Sequence, residues 1–160
     1  MTGDMDITSV MRKSCIQLHL KGRTKAEIIE EMTDLFEQSG VLSDREQFIQ
    51  DVYLREAEGP TGIGDGVAIP HGKSDAVITT AMAVGRAEED IEWESMDEKP
   101  VRVFVMFAVN SADKSQLVSL LSQVAVALCD EEVIKQLFIT KDADEIMDLF
   151  GRREGKEEIA

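Results

Sequence analysis

The stretch Val101-Arg-Val-Phe-Val-Met-Phe-Ala-Val109 is apolar except for Arg102 and is dominated by β-branched and aromatic side chains. A half-solvated strand alternates apolar with polar residues. A short run without alternation belongs to a strand covered on both faces. The chain must therefore supply amphipathic elements for two faces of a sheet. Thr24-Lys-Ala-Glu27 has the form of a capping box, in which hydroxyl and carboxylate satisfy opposing backbone N–H groups. Ile28, Ile29, Met32, Leu35 and Phe36 then recur at helical spacing up to Gly40. Ser43-Asp-Arg-Glu46 repeats the capping pattern, and Phe48, Ile49, Val52 and Tyr53 predict a second helix to about Glu56. Three apolar stripes predict helices in the last third: Leu117 to Leu128, Val133 to Phe138, and Ile146 to Phe150.

Cys15 to Lys21 alternates strictly, which predicts a half-buried strand with Ile16, Leu18 and Leu20 inward and His19 in solvent. Thr79 to Gly85 reads as another strand, and Trp93 between strands as a plug for the core edge. Helices around a largely central sheet define a layered α/β or α+β domain. The 160 residues amount to one domain, with a core at about 7–150 and a frayed tail at 151–160.

The formal charge of −15, from 32 acids against 17 bases, opposes the phosphates of nucleic acid and suits either plain solubility or a basic protein partner. No apolar run is long enough to cross a bilayer. The start MTGDMDITS has no basic, then apolar, secretory pattern, so cytoplasm is the expected location. Cys15 and Cys129 are far apart among apolar neighbours and are expected to be buried free thiols. Two histidines cannot build a His-rich metal cluster.

Backbone-shaping residues concentrate elsewhere. Residues 59–72, Gly-Pro-Thr-Gly-Ile-Gly-Asp-Gly-Val-Ala-Ile-Pro-His-Gly, hold 5 of the 11 glycines and 2 of the 3 prolines. Gly72-Lys73-Ser74 closes the segment, but the first glycine of a Walker loop would fall at Val67 and no helix pattern follows, which excludes a Walker loop. Gly62-Ile-Gly64-Asp-Gly66 precedes a strand rather than opening a helix, which excludes a dinucleotide fingerprint. Val67-Ala-Ile69 reads as a short strand ended by Pro70, with His71 at its exit and Gly72 leaving space beside it. A neutral imidazole is a nucleophile or base at neutral pH. No Ser or Cys nucleophile stands ready for it to serve; Ser74, three residues on, has no third group. Direct attack of the ring on phosphorus is the simpler chemistry. The negative phosphoryl group then needs a cation and N–H donors, which Arg55 and the Thr61–Gly62 segment can supply. Hydrolysis lacks a nucleophile, a metal set or a carboxylate pair.

Glu56, then Ile63-Gly64 and Val67-Ala68-Ile69-Pro70-His71-Gly72, with Arg55 and Thr61-Gly62 before them, resembles the enzyme IIA domains of the fructose/mannitol class of the bacterial phosphoenolpyruvate-dependent sugar phosphotransferase system. The resemblance extends from about Ile7 to Phe150, including the capped helix at Thr24-Lys25, the Gly40-Val41 turn and Asp97-Glu-Lys-Pro100. It implies an α/β fold with a mixed, mainly parallel sheet flanked by helices. It also implies a phosphocarrier without metal or organic cofactor. His71 would accept a phosphoryl group through Nε2 from the phosphorylated histidine protein HPr and pass it to a IIB domain, most simply for fructose-type sugar uptake. The chain itself would not enter the membrane, where the IIC domain works. Arg55 would steady the phosphoryl charge and Thr61 would bond near it. Where relatives commonly carry a second histidine in a His-Leu pair, this chain has Gln116-Leu117, which can hydrogen-bond a phosphoryl oxygen but cannot become cationic. Lys73 is either a further cation at the site or a solvated lysine. A regulatory, nitrogen-related member whose phosphorylation state controls protein binding is the alternative.

Overall fold

The computed structural model describes residues 5–159, with side chains described as far as Gly151. In chain order the elements are α1 (Ile7–Val10), β1 (Met11–Leu20), α2 (Lys25–Gln38), α3 (Arg45–Glu56), β2 (Gly62–Gly64), β3 (Val67–Ala68), β4 (His71–Ser74), β5 (Ala81–Ile91) and β6 (Val101–Asn110). A 3-10 helix (Ser111–Gln116) then leads into α4 (Leu117–Ala127), α5 (Glu131–Ile139) and α6 (Ala143–Ile159). The strands form one sheet ordered β1-β5-β6-β3-β2, with β4 also paired to β6. The β1–β5, β3–β6 and β4–β6 pairs are parallel, and the β5–β6 and β2–β3 pairs antiparallel. This is the expected mixed, mainly parallel α/β sheet flanked by helices.

The apolar run of β6 lies at the centre and serves two cores. Val103, Val105, Phe107 and Val109 pack with Leu120 and Val124 of α4, Leu137 of α5 and Ile146 and Leu149 of α6. Phe104, Met106 and Ala108 face the other way, onto Ile28, Met32 and Phe36 of α2 and Phe48 and Val52 of α3. A strand flanked by strands on both edges and helices on both faces has no solvated side, which is why its sequence does not alternate.

Several local expectations are corrected. Strand β1 is not half-buried: Leu18 joins the core under α4–α6, whereas Cys15 and Leu20 join the one under α2 and α3. A register irregularity between Gln17 and Leu20 switches the face on which even positions lie. His19 is solvated as expected, 3.8 Å from Glu88. Asp44, not Ser43, caps α3 by accepting from the Gln47 N–H. At α2, Thr24 caps Glu27 as expected, but the Glu27 carboxylate reaches Arg23 N–H. Cys129 is exposed; Cys15 alone is buried. The backbone of α6 remains helical to Ile159, through most of the segment where the sequence predicts a frayed tail; residue 160 lies outside the described residues.

The glycine-rich segment makes a tight hairpin. Asp65 and Gly66, between β2 and β3, have φ of 58° and 77°. Positive φ at both central residues is the signature of a two-residue turn whose twist matches its strands. Gly66 is also the point where the hairpin docks, its carbonyl accepting the N–H groups of Arg102 and Val103. A Cβ at Gly66 would lie 2.8 Å from Phe138 Cζ. Gly66→Ala combines left-handed strain with that overlap, and it should lower the urea-unfolding free energy by about 2–4 kcal/mol.

Candidate phosphoryl-acceptor site

His71 lies not at a strand exit but at the start of β4. The partners Val67↔Val103, Ala68↔Phe104 and His71↔Phe107 keep one constant register, so β3 and β4 are a single strand interrupted at Ile69-Pro70. Pro70 has no N–H for the ladder, although its carbonyl still accepts from Phe107 N. Side chains alternate across this strand. Val67, Ile69 and His71 lie towards α4, whereas Gly72 is turned to α3, where a Cβ would stand 3.0 Å from both Phe48 and Val52.

His71 borders a cleft of about 450 Å³. Arg55, Pro60 and Thr61 form one wall, Ile63, Gly64 and Asp65 of the hairpin another, and Leu121 and Ala125 of α4 with Leu128 at its C-cap a third. The ring is only 5% exposed, and its Nδ1 lies 3.1 Å from the Ile69 carbonyl oxygen. A carbonyl oxygen can only accept, so Nδ1 carries the proton and Nε2 is left with its lone pair. Burial pushes the imidazole pKa below its ordinary 6.5 against the opposing effect of the Ile69 bond, and Arg55 pushes it the same way. The result is a neutral, nucleophilic ring of fixed tautomer.

Of the other residues singled out from sequence, Arg55 lines the cleft with His71, and its Nη1 donates to the Gly59 carbonyl at 3.1 Å. Lys73 is exposed on the same strand, and its charge bears on His71 from outside the cleft. Thr61 also lines the cleft, but its hydroxyl proton is committed to Glu56 Oε2 at 2.7 Å, and its oxygen accepts the Trp93 indole N–H at 2.9 Å. Gly62 is a packing position. Its N–H donates to the Glu94 carbonyl, and a Cβ there would come within 2.7 Å of Ser95 Cα. Its N–H is therefore spent on the fold rather than turned to a ligand. Gln116 does not border the cleft; its Oε1 accepts the Met5 N–H at 2.6 Å, beside Gln123, which holds the Met5 carbonyl and the Ile7 N–H.

Three residues to which the sequence assigned no part in the site emerge next to it. Glu56 is buried and ion-paired to Lys25 at 2.7 Å. Trp93 packs on Phe104 and, besides plugging the core edge, holds Thr61. Glu56 stands in the motif beside Arg55, a usable signal; nothing local marks Lys25, which reads as an ordinary first-turn residue. Among the described residues no cluster of His, Cys, Asp and Glu could hold a metal ion, and no helix is long and apolar enough to cross a membrane.

The chain belongs to the family described as phosphoenolpyruvate-dependent sugar phosphotransferase system, EIIA 2, whose model matches residues 9–152. Such components act in phosphoryl transfer. A relative in Bacillus subtilis (strain 168), the fructose-specific EIIABC component of such a system, is 33% identical over 150 residues, which is 94% of this chain. The chain spans 24% of that relative's length. Among solved structures, the nitrogen regulatory protein IIA-Ntr from Neisseria meningitidis superposes with a TM-score of 0.82 at 26% identity, covering 90% of this chain and 98% of that one. The Escherichia coli mannitol enzyme IIA, solved in complex with phosphorylated enzyme IIB, gives 0.74 at 25% identity, covering 88% and 98%.

The lowered pKa has two measurable consequences. The His71 ring should titrate below pH 6.5 in NMR, and Arg55→Ala should move that midpoint upward, because a repelling cation is gone. In the unfolded chain His71 binds its proton at a higher pH than in the fold, so stability rises with pH across that window. Between pH 6.5 and the folded midpoint, wild type should therefore lose more stability than His71→Gln.

Proposed function

We propose that this protein is a phosphocarrier that takes a phosphoryl group onto Nε2 of His71 from an HPr-type phosphohistidine donor and passes it to a IIB component. The observation that carries the reading is the Nδ1–H···O bond to Ile69, which leaves Nε2 as the nucleophile on the side of an open cleft. In the accepting step the Nε2 lone pair attacks phosphorus while the donor's P–N bond breaks, its electron pair returning to the donor imidazole. The acceptor ring becomes cationic as the new N–P bond forms, and the Nδ1 proton, held by the Ile69 carbonyl, steadies that charge without leaving. Arg55, with one nitrogen anchored on Gly59, offers its remaining N–H groups to the phosphoryl oxygens. Reversal of the same step, with a IIB nucleophile in place of the donor, empties the site.

The apolar side chains of Ile63, Leu121 and Leu128 on the cleft walls suit docking of protein partners better than binding of a sugar. Likeness to a fructose-specific component favours service to sugar uptake, in a cytoplasmic setting. A second reading rests on the IIA-Ntr structure, to which the fold is similar over nearly its full length: phosphorylation would set which protein the domain binds.

Incubation with phosphoenolpyruvate, enzyme I and HPr should label wild type, and His71→Ala should remain unlabelled. Label persisting on His71→Ala would remove this assignment. Arg55→Ala should slow acceptance by about 100-fold while retaining a native spectrum. Transfer of label to a purified fructose-type IIB domain separates the two readings: rapid transfer supports uptake, and retention of the label supports regulation.

A further inference from the structure

Behind the cleft wall four side chains from four parts of the chain close a ring. Lys25 Nζ, at the start of α2, lies 2.7 Å from Glu56 Oε1. Glu56 Oε2 accepts the Thr61 hydroxyl, Thr61 Oγ1 accepts the Trp93 indole N–H, and the Trp93 ring stacks under Lys25 Nζ at 4.9 Å. The Glu56 side chain is 4% exposed, so its charge has no water to spread into. Lys25 is 23% exposed and also meets the outer carboxylate of Glu94 at 2.6 Å. Burial pulls the Lys25 pKa down, but the bonds to Glu56 and Glu94 outweigh it, so the ammonium stays charged.

This ring touches the site at two points. Thr61 binds Glu56 through its hydroxyl and Ile69 N–H through its carbonyl, and the Ile69 carbonyl holds His71 Nδ1. Glu56 also follows Arg55 at the end of α3, and its charge bears on His71. A bare carboxylate there opposes the mechanism twice. It repels an incoming phosphoryl group, and it competes for Arg55, the cation in the cleft wall. We propose that Lys25 is a positioning residue for phosphoryl acceptance: by neutralising Glu56 and holding its carboxylate on Thr61, it leaves Arg55 to the phosphoryl group. The inference rests on His71 being the acceptor, as argued above. The charged groups facing His71 are Arg55 and Glu56 of α3, Lys73 of its own strand and Asp65 of the hairpin; α4 and α5 present Leu121, Ala125, Leu128 and Ile134. Lys25 therefore acts through Glu56 rather than on the ring.

The test is a double-mutant cycle of Lys25→Met and Glu56→Gln, with Lys25→Arg as the conservative control. Two readouts are taken: the His71 titration midpoint by NMR on unphosphorylated protein, and the rate of labelling from phosphorylated HPr. Lys25→Met should raise the midpoint by about 1 unit and slow labelling by about 10-fold. Lys25→Arg should restore both. In the Glu56→Gln background, Lys25→Met should change neither. A folded Lys25→Met protein with wild-type midpoint and rate overturns the proposal, as does an equal effect of Lys25→Met when Glu56 is already Gln. If Lys25→Met alone does not fold, Glu56→Gln and the double variant decide between them: equal values support the proposal, and a further change overturns it. Failure of wild type to label at all would remove the carrier reading, while the titration arm would still judge Lys25.

Discussion

One hydrogen bond, from His71 Nδ1 to the carbonyl of Ile69 two residues earlier, governs the chemistry available to this molecule. It chooses the tautomer, leaves Nε2 as the free nitrogen and ties the ring to its own strand. The bond needs a carbonyl that the sheet does not use, and Ile69 supplies one: Gly66 and Pro70 turn their carbonyls to Val103 and Phe107 of β6, so the Ile69 carbonyl, at an odd position, faces the other edge of the strand. Because Pro70 offers no N–H, the ladder skips a step there, while the register with β6 is kept on either side. Ile69 N–H meanwhile turns to the Thr61 carbonyl. The hairpin, the broken strand and the packing of Gly72 on α3 all serve that local arrangement.

The second constraint is electrostatic. On the proposed reading, a chain carrying a formal charge of −15 receives a negative phosphoryl group, and a carboxylate is buried close to His71. Removing one partner of a buried ion pair commonly costs about 3–5 kcal/mol, so Glu56 and Lys25 are bound to each other's presence. Their pairing separates labour between two cations. Lys25, sandwiched between Trp93 and two carboxylates, is occupied with structure, whereas Arg55 gives one nitrogen to Gly59 and lines the cleft. The Thr61 hydroxyl belongs to the structural side of that division, which is why a residue expected to bond the phosphoryl group is instead found holding its neighbours.

Much of this was legible in the sequence, for physical reasons. The unalternating run of β6 demanded helices on two faces, and the stripes at Ile28–Phe36 and Leu117–Leu128 supplied them. The clustering of glycine and proline before His71 marked a sharp turn and an end of pairing at Pro70, but not that the strand resumes at His71 in the same register. What escaped were features set by contact between distant segments. The face switch in β1 comes from a register irregularity with β5, so strict alternation from Cys15 to Lys21 misled. Gly62 has the composition of a ligand-binding loop but is glycine because Ser95 crosses it. Gln116, which the resemblance led one to expect on a phosphoryl oxygen, instead accepts the Met5 N–H through its side-chain oxygen. Lys25 and Glu56 are 31 positions apart, and no local pattern announces their pairing.

The nitrogen that carries the phosphoryl group is the most direct test of the account. Protein labelled with nitrogen-15 in its histidine rings, phosphorylated by HPr and examined by NMR for coupling to phosphorus-31, reports that nitrogen without reference to partners or rates. Coupling is expected to Nε2 of His71, with Nδ1 still protonated and bonded to Ile69. Phosphorus on Nδ1, or on His19, would contradict it.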